Sequence, residues 1–280
     1  MSAESPSEKS VVVTGASTGI GRATVTELVS AGFHVWATVR SDTDAAGLTT
    51  EFGDSVTPLL VDLLDDESVR AAGERVVAAG PLHALVNNAG IAVPSPLEII
   101  PIDEFRRQLE VNLVGQLLVT QVMLPALLAA KDARIVFVGS ISGRIAGPIL
   151  GAYSASKHGL VGLAGSLRAE LSPYDVKVCL VEPGVIATPI WTTSAVAGNQ
   201  LMASLPVTGR YAAQIEGARV RAATGSSGLD PRVVARVIHR AITSSRPRPR
   251  QVVGRDARLG AALVRLLPFR AVYRLTAGRR

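Results

Sequence analysis

The sequence of 280 residues is poor in cysteine, in aromatic residues and in charge. Cys179 is the single cysteine, which excludes a disulfide framework within one chain and fits a reducing compartment. Aromatic residues make up 4% and charged residues 19% of the chain, whereas hydrophobic residues make up 48%. This composition predicts a globular protein with a substantial core and excludes an intrinsically disordered chain.

Signals for export, for membrane insertion and for metal binding are also missing. Residues 1–9 are mostly polar, lack the regions of a secretory signal, and are expected to form a flexible N-terminus. The longest apolar stretch, residues 111–130, contains Asn112 and Gln116, which favours a helix buried inside a protein. No group of His, Cys, Asp or Glu residues has the spacing of a metal site. We therefore expect a cytoplasmic protein that needs no metal.

Acidic residues are scarce near the C-terminus. Residues 232–280 contain 13 arginines and one acid, Asp256, for a net charge of +12, whereas residues 1–231 carry −6. A basic amphipathic segment of this kind can rest on an anionic membrane, but covering the substrate mouth or contacting a second subunit explains the same pattern and is the preferred interpretation. Nucleic-acid binding is unlikely, because aromatic residues are few and no recognition motif accompanies the charge.

Apolar runs alternate with helical patterns along most of the chain. This alternation predicts an α/β fold with a parallel, doubly wound sheet, which binds ligands at the carboxyl ends of its strands. We expect one catalytic domain over residues 10–255, with a substrate lid at about 189–228, and an Arg-rich extension over residues 256–280. Strands are predicted at 11–13, 33–39, 56–61, 82–86, 134–138 and 177–181, with helices between most of them.

A glycine-rich turn follows the first predicted strand. Residues 14–21 read TGASTGIG and lead into a helix. Glycines here allow a tight turn and a close approach to a pyrophosphate, whose charge then lies at the helix N-terminus. Such a turn is a weak signal alone, and its position after the first strand strengthens it.

Tyr153 and Lys157 are spaced to lie one helical turn apart on the same face. A lysine there can stabilise a phenolate and lower the pKa of the tyrosine, which can then exchange a proton with an alcohol or ketone. Ser140 follows the fifth predicted strand, thirteen residues before Tyr153. An ordinary surface pair is the alternative reading, and the neighbouring motifs argue against it.

Taken together, these motifs and the run Asn87-Asn88-Ala89-Gly90 resemble the short-chain dehydrogenase/reductase family over roughly residues 10–190. The resemblance implies a Rossmann-type fold and hydride exchange between a nicotinamide dinucleotide and a substrate alcohol or ketone. It also implies a catalytic set in which Ser140 holds the substrate oxygen and Tyr153 transfers the proton. Lys157 would lower the Tyr153 pKa and bind the nicotinamide ribose, and Asn112 would bend its helix and hold a relay water.

The resemblance further implies the residues that line the dinucleotide. Asp62 would contact the adenine, although capping of a helix is an alternative for it, and Asn88 would lie near the ribose. The segment that starts at Pro183 would meet the nicotinamide carboxamide. The full implied set is Gly15, Ser17, Gly19, Ile20, Gly21, Arg40, Asp62, Leu63, Asn88, Ala89, Gly90, Tyr153, Lys157, Pro183, Gly184, Val185 and Thr188.

The end of the second strand bears on the choice of dinucleotide. An acidic residue there would accept hydrogen bonds from the ribose diol and repel a 2′-phosphate. This chain instead has Arg40, with no carboxylate before Asp42, and a guanidinium can pair with that phosphate. We therefore expect NADP(H) to be favoured, with NAD(H) possible.

The predicted lid is mostly apolar, which favours a lipophilic secondary alcohol or ketone. Outside the lid, the run Ala37-Thr38-Val39-Arg40 together with the tail runs at residues 252–257 and Leu266-Leu267-Pro268 loosely resembles the steroid- and retinol-dehydrogenase branch of the family. A 3-oxoacyl thioester reductase is the enzymatic alternative, and a non-catalytic cofactor-binding scaffold is a further one. The resemblance also suggests a dimer or tetramer through the long helices. The expected substrate-binding residues are Ser140, Ile145, Ile149, Tyr153, Ile190 and Trp191.

Overall fold

A computed structural model describes residues 9–205, 209–225 and 227–276. All but the last residue of the N-terminal segment expected to be flexible lie outside these described residues. The described part contains one sheet of seven strands in the order β3-β2-β1-β4-β5-β6-β7, and every neighbouring pair is parallel. The strands are β1 (Ser10–Val13), β2 (His34–Val39), β3 (Val56–Leu60), β4 (Ala84–Asn87), β5 (Arg134–Val138), β6 (Lys177–Pro183) and β7 (Arg250–Val253).

Helices connect the strands and cover both faces of the sheet. They are α1 (Gly19–Ser30), α2 (Asp42–Phe52), α3 (Asp66–Ala79), α4 (Ile102–Leu109), α5 (Gly115–Ala129), α6 (Gly151–Leu171), α7 (Ile190–Ala203), α8 (Ala212–Gly225), α9 (Pro231–Thr243), α10 (Arg255–Leu266) and α11 (Phe269–Thr276). Between α4 and α5, residues Glu110–Val114 form a wider π-helical turn, so that α4, this turn and α5 make one continuous bent helix.

Two apolar layers hold the helices to the sheet. Side chains from α1, α2 and α9 pack on one face, and those from α3, α5 and α6 pack on the other. Both faces of the sheet are therefore buried, which is why central strands such as β4 and β5 have no exposed residue.

The N-terminal edge of the sheet carries a buried arginine. Arg134, at the first position of β5, is 1% exposed. Its guanidinium donates to the Asp132 carboxylate at 2.7 Å and to the Ser244 carbonyl at 2.8 Å. These contacts join β5 to the end of α9, far from the carboxyl ends of the strands.

The predicted fold class is confirmed, and six strands lie where apolar runs predict them. The seventh strand, β7, and the helix α2 were not predicted. β7 is a short edge strand that begins with Arg250, and α2 contains Gly47 and few apolar residues, so neither has a strong hydrophobic pattern. α9 begins after Asp230, whose carboxylate caps the helix by accepting a hydrogen bond from the Arg232 amide at 2.8 Å.

The bent helix over Ile102–Ala129 is long and apolar enough to cross a membrane, with a mean hydropathy of 1.7 over its most apolar window. In the fold, however, 56% of that window is buried. α5 packs on α3 and on the sheet through Val119, Met123 and Leu127. The apolar stretch at 111–130 is thus a core helix, as the sequence suggested.

Candidate active site

The glycine-rich turn of residues 14–21, between β1 and α1, forms a narrow glycine cradle at the carboxyl edge of the sheet. Gly15 and Gly19 adopt left-handed conformations, with φ of 64° and 56°. A β-carbon on Gly21 would overlap the carbonyl oxygen of Gly15. The amide of Gly15 donates to the Thr38 hydroxyl at 3.2 Å, which ties the turn to β2.

The start of α1 fits the anionic diphosphate of a dinucleotide. Thr18 is the N-cap, yet no side chain caps the helix and its first turn contains no acid. The first amides of a helix lack partners within the helix and carry partial positive charge. With the glycine cradle beside it, this helix end can accept a phosphate group. Ser17 lies in the turn half-exposed, and Ile20 packs partly into the core.

The Asn87–Gly90 segment is tied to the same turn. The Asn88 side chain donates to the carbonyl oxygens of Thr14 and Gly15, at 2.9 and 3.1 Å. The Thr14 hydroxyl in turn accepts from the amides of Asn88 and Ala89, at 2.9 and 3.0 Å. These bonds fix the end of β4 against the end of β1, so the predicted cofactor residues of both segments lie together.

Ser140, Tyr153 and Lys157 also come together at this edge. Ser140 follows β5, where its Oγ accepts from the Ser142 amide at 3.1 Å, and its hydroxyl acts on Tyr153 in the direction that lowers the pKa of the phenol. Tyr153 and Lys157 lie on α6, and the Lys157 Nζ is 5.7 Å from the centre of the Tyr153 ring. That Nζ donates to the Val138 carbonyl at 2.9 Å, next to the position of Ser140. The arrangement brings a hydroxyl, a phenol and an ammonium to one point.

The ionisation of these groups differs from the sequence expectation. Burial raises the pKa of Tyr153, and the hydrogen bond with Ser140 opposes that effect only in part. Burial also lowers the pKa of Lys157 to about 8. The direction for Tyr153 is opposite to the predicted one, because desolvation of the phenolate outweighs the groups that stabilise it. A lowered pKa of Tyr153 therefore stays a prediction, and it applies to the protein with dinucleotide and substrate bound.

Asn112 lies in the π-helical turn between α4 and α5. Its side chain accepts from the Ile91 amide and donates to the Ile91 carbonyl, both at 2.8 Å, and donates to the Ser156 hydroxyl at 3.0 Å. Three of its four hydrogen-bonding positions are thus used by the protein. The side chain joins α6 to the segment after β4, and its predicted contact with a relay water stays a prediction. A β-carbon on Gly90 would lie 3.1 Å from Asn112 Oδ1.

The loop after β6 closes the opposite side of the cradle. Pro183 is buried at the end of β6, and Gly184 and Val185 follow it. Thr188 approaches the glycine-rich turn, because a β-carbon on Gly19 would lie 3.1 Å from the Thr188 methyl group. The loop predicted to meet the nicotinamide thus lies across from the turn predicted to hold the diphosphate.

Arg40, Asp62 and Leu63 lie at the ends of β2 and β3. Arg40 is exposed and forms no ion pair with a residue that the structure describes. Asp62 Oδ1 accepts from the Leu64 amide at 3.0 Å, so the carboxylate stabilises its own turn, and Asp65 is the N-cap of α3. Leu63 is buried in the core, which leaves its backbone as the part that can face a ligand.

The four apolar residues predicted to contact substrate lie on separate segments. Ile145 contacts α10 near Gly260, and Trp191 donates from its Nε1 to the Ile186 carbonyl at 2.7 Å. Ile190 begins α7 and is half-buried. Ile149 is 5% exposed, with a left-handed φ of 71°, and helps to line a small apolar cavity. The other residues that line this cavity come from Pro94 and from α7 and α8.

Sequence reasoning missed several residues that shape the site. Glu182, in β6, is fully buried and receives paired hydrogen bonds from Arg144 and Arg250. Asp256, in α10, accepts from the Val185 amide at 2.8 Å. Thr14, whose hydroxyl accepts from the amides of Asn88 and Ala89, also shapes the site. Of these residues it is the one that a sequence motif indicated, because it is the first residue of the glycine-rich motif. Within the described ranges, no cluster of three or more His, Cys, Asp or Glu side chains could hold a metal.

Comparisons with known proteins agree with this geometry. The family model described as short chain dehydrogenase matches residues 9–197. An NADPH-dependent 3-dehydrocapnine reductase from Ornithobacterium rhinotracheale is 34% identical over 94% of each chain. A 3-amino-tetrahydro-pyrrolizinone reductase from Xenorhabdus hominickii is 41% identical over 69% of this chain and 67% of its own length. Further relatives include uncharacterized oxidoreductases from Bacillus subtilis and Escherichia coli.

Solved structures show the same likeness. A short-chain dehydrogenase from Streptomyces avermitilis has a TM-score of 0.80 and 27% identity, over 98% of this chain and 100% of its own. One from Burkholderia cenocepacia, in complex with NADP, has a TM-score of 0.77 and 25% identity, over 97% and 98% of the two chains. Human short-chain dehydrogenase/reductase family 9C member 7 is 38% identical over 66% of this chain and 59% of its own. The chain belongs to the short-chain dehydrogenase/reductase family and is an NAD(P)-dependent oxidoreductase.

Proposed function

We propose that this protein interconverts a lipophilic secondary alcohol and its ketone, with Tyr153 as general acid and base. The observation that carries the proposal is the meeting of Ser140, Tyr153 and Lys157 beside the glycine cradle. When bound, the nicotinamide supplies or accepts the hydride at the substrate carbon. The chain itself then has to hold the substrate oxygen and to move one proton.

Each group has a distinct part in the reduction direction. Ser140 donates a hydrogen bond to the carbonyl oxygen, and Tyr153 gives that oxygen its hydroxyl proton. The Lys157 ammonium stabilises the phenolate that remains, which regains a proton from solvent. Asn112 holds α6 and the segment after β4 in register, because its amide bonds to both.

The proposed cofactor is NADP(H), held by the residues that the sequence analysis named. Arg40 supports this choice: it is exposed at the end of β2 and free to pair with a 2′-phosphate. The relatives with NADP and with NAD in their names do not separate the two. The resemblance of this chain to an NADPH-dependent reductase over 94% of its length adds support.

The proposed substrate is steroid- or retinoid-like in its apolar character. Support comes from the lid residues Met202 and Ile215, which together with Ile149 line a small and mostly apolar cavity that Arg219 also contacts. An apolar wall with few charges favours a lipophilic molecule over a sugar or phosphorylated metabolite. We also propose self-association as a dimer or tetramer, and a cytoplasmic location in which the basic C-terminal segment can contact a membrane surface.

One assay tests the reaction, the dinucleotide and the substrate class. Consumption of NADPH and of NADH is followed with a panel of steroids, retinals and acyl thioesters, for the wild type and for Tyr153→Phe. We expect turnover of lipophilic ketones with NADPH, and a loss in Tyr153→Phe of at least ~100-fold, because the general acid is gone.

Each arm of this assay can contradict a different part of the proposal. Full activity of Tyr153→Phe would exclude the proposed mechanism. A strong preference for NADH would exclude the part given to Arg40. Turnover confined to acyl thioesters would identify the 3-oxoacyl thioester reductase instead, and binding of dinucleotide without any turnover would identify a scaffold.

A further inference from the structure

The loop of residues 183–188 is held in part by the C-terminal end of the chain. The Val185 amide donates to Asp256 Oδ2 at 2.8 Å, across 71 positions in the sequence. Gly184 leaves room for this carboxylate, since a β-carbon at that position would overlap it. Asp256 lies outside residues 9–197, where the family model matches. It is also the one acid among the 13 arginines of residues 232–280.

The position of Asp256 is fixed by its own surroundings. Gly254 takes a φ of 111°, which turns the chain from β7 into α10. Asp256 then lies in the first turn of α10, where the helix N-terminus favours a carboxylate. Ala257, the next residue, is fully buried and anchors this turn. The carboxylate therefore reaches Val185 from a rigid support.

The remaining contacts of the loop use other groups. The Val185 carbonyl accepts from the Leu229 amide at 3.0 Å, and the Ala187 amide donates to the Leu229 carbonyl at 2.9 Å. Trp191 donates from its Nε1 to the Ile186 carbonyl. The Gly184 amide donates to the Val253 carbonyl at 2.9 Å. Loss of the Asp256 carboxylate would thus release the Val185 amide alone, while these bonds hold the residues on either side of it.

The same helix contacts the other side of the proposed reacting centre. A β-carbon on Gly260 would lie 3.0 Å from Ile145 Cδ1 and 3.5 Å from Ile141 Cγ1. Ile141 directly follows Ser140 and begins the short turn after β5. One helix therefore contacts both the loop after β6 and the turn that carries Ser140.

We propose that Asp256 is a positioning residue, which holds the Val185 amide so that the loop stays in place to receive the nicotinamide half of the dinucleotide. The inference rests on the proposed function, because it takes the nicotinamide to lie at this loop. A carboxylate is suited to the task, since a hydrogen bond to a charged acceptor is shorter and stronger than one between neutral groups.

The test compares binding of a whole dinucleotide with binding of its fragment. NADPH and 2′-phospho-ADP-ribose, which lacks the nicotinamide, are titrated against the wild type, Asp256→Ala and Asp256→Asn. We expect Asp256→Ala to weaken NADPH about tenfold, as loss of one charge-assisted hydrogen bond implies, and to leave the fragment unchanged. Asp256→Asn keeps an acceptor oxygen and should restore most of the NADPH affinity.

The matched control is Asp103→Ala. Asp103 also lies in the first turn of a helix, α4, and pairs with Arg106 at 3.0 Å, but it has no contact with the loop. We expect this variant to bind both ligands as the wild type does. An equal loss of NADPH and of the fragment in Asp256→Ala would show a general loss of structure and would overturn the inference.

A second readout needs no dinucleotide. Hydrogen exchange of the Val185 amide should be faster in Asp256→Ala and unchanged in Asp103→Ala. Unchanged exchange of the Val185 amide in Asp256→Ala would overturn the positioning of the loop. Failure of the wild type to bind NADPH or NADH would instead overturn the proposed function, while the exchange rates still report on the contact.

Discussion

Lys157 keeps an ammonium group inside the fold, where it is 4% exposed and donates to the Val138 carbonyl. Burial lowers its pKa to about 8 from an ordinary value of 10.5, because water no longer solvates the charge. The folded protein thus carries a destabilising group that the proposed chemistry needs. Such a conflict between stability and activity is common at functional sites.

The lowered pKa of Lys157 makes the free energy of unfolding depend on pH in a defined direction. Between pH 8 and 10.5 the unfolded chain holds a proton on Lys157 that the folded protein has lost, so the free energy of unfolding rises with pH across this window. Relative to Lys157→Met, the wild type should gain about 3 kcal/mol from pH 7 to pH 11. Urea unfolding over this range measures it. Lys131→Met keeps Lys157 and should retain the rise, and parallel curves for wild type and Lys157→Met would contradict the prediction.

Gly21 gives a second prediction at this scale. Gly21→Ala places a methyl group against the Gly15 carbonyl, so we expect it to destabilise the protein by about 1–3 kcal/mol and to weaken dinucleotide binding. Gly47→Ala is the control, because Gly47 lies inside α2 with open space around it. That control should stabilise the protein by roughly 0.5–1 kcal/mol. Thermal unfolding of the two variants distinguishes them, and equal shifts would contradict the close packing at Gly21.

Single residues could be predicted from the sequence where their spacing is local. Ser140, Tyr153 and Lys157 are close in the chain and lie on a strand end and one helix face, so their meeting follows from regular geometry. The ionisation of Tyr153 could not be predicted in this way, because it depends on how deeply the phenol is buried. Asp256 acts on Val185 across 71 positions, and no local pattern reports such a contact.

Among the elements, the link between β6, β7 and the turn after Ser140 depends on one buried carboxylate. Glu182 is fully buried in β6, and Arg144 and Arg250 bring the turn and β7 to it. Burial raises the pKa of Glu182, but hydrogen bonds from the two arginines lower it by more, so that the net pKa is lowered. The carboxylate is therefore charged in the folded protein and holds three segments together.

Removal of that charge should loosen all three segments. Glu182→Gln leaves two guanidinium groups without a counter-charge, and we expect a loss of about 3–5 kcal/mol in the free energy of unfolding at pH 7. Because the folded pKa is lowered, the contribution is full above the ordinary pKa of 4.5 and is lost as pH falls below it. Unfolding curves from pH 7 to pH 3 should therefore converge for wild type and Glu182→Gln.

The exposed pair of Glu216 and Arg219 gives the matched control for this prediction. Glu216→Gln should cost less than ~1 kcal/mol, as exposed ion pairs contribute little. A cost for Glu182→Gln no larger than that would contradict the part given to the buried carboxylate.

Elements with a strong apolar pattern could be predicted, and those held by particular contacts could not. β5 reads Arg-Ile-Val-Phe-Val and is fully buried, so its sequence reports its place. β7 begins with Arg250 at the sheet edge, where the Glu182 carboxylate and pairing with β6 determine its conformation. The contact between Glu182 and Arg250 spans 68 positions in the sequence, which explains why the strand has no local signature.

For the whole molecule, the sheet and the C-terminal helices form a connected unit through α10. From the sequence, residues 256–280 are predicted to extend beyond a domain that ends at residue 255, and that boundary stays a prediction. α10 begins at Arg255, buries Ala257 and contacts the site at Val185 and near Ile145. Charge composition alone could not reveal these contacts, because it reports what is exposed and not what is packed.

Two truncations test this connection. A chain that ends at Val253 lacks α10 and should lose activity and unfold at lower denaturant, because buried Ala257 and the Asp256 contact are removed. A chain that ends at Leu267 keeps α10 and lacks α11 and the residues after it. We expect the second chain to retain the kcat/KM of the full protein. Equal activity of both chains would show that α10 has no part in the site.

The π-helical turn at Glu110–Val114 has a consequence for how this fold can vary. A π turn holds one residue more than an α turn, so the faces of α4 and α5 are out of phase by about 100°. α5 can then direct its apolar face at the sheet while Gln108 of α4 bonds to Val93 beside the site. Loss of one codon in this turn would restore a regular helix and rotate one half against the other. Deletion of a single residue in the π-helical turn would therefore remove the rotational offset between the faces of α4 and α5.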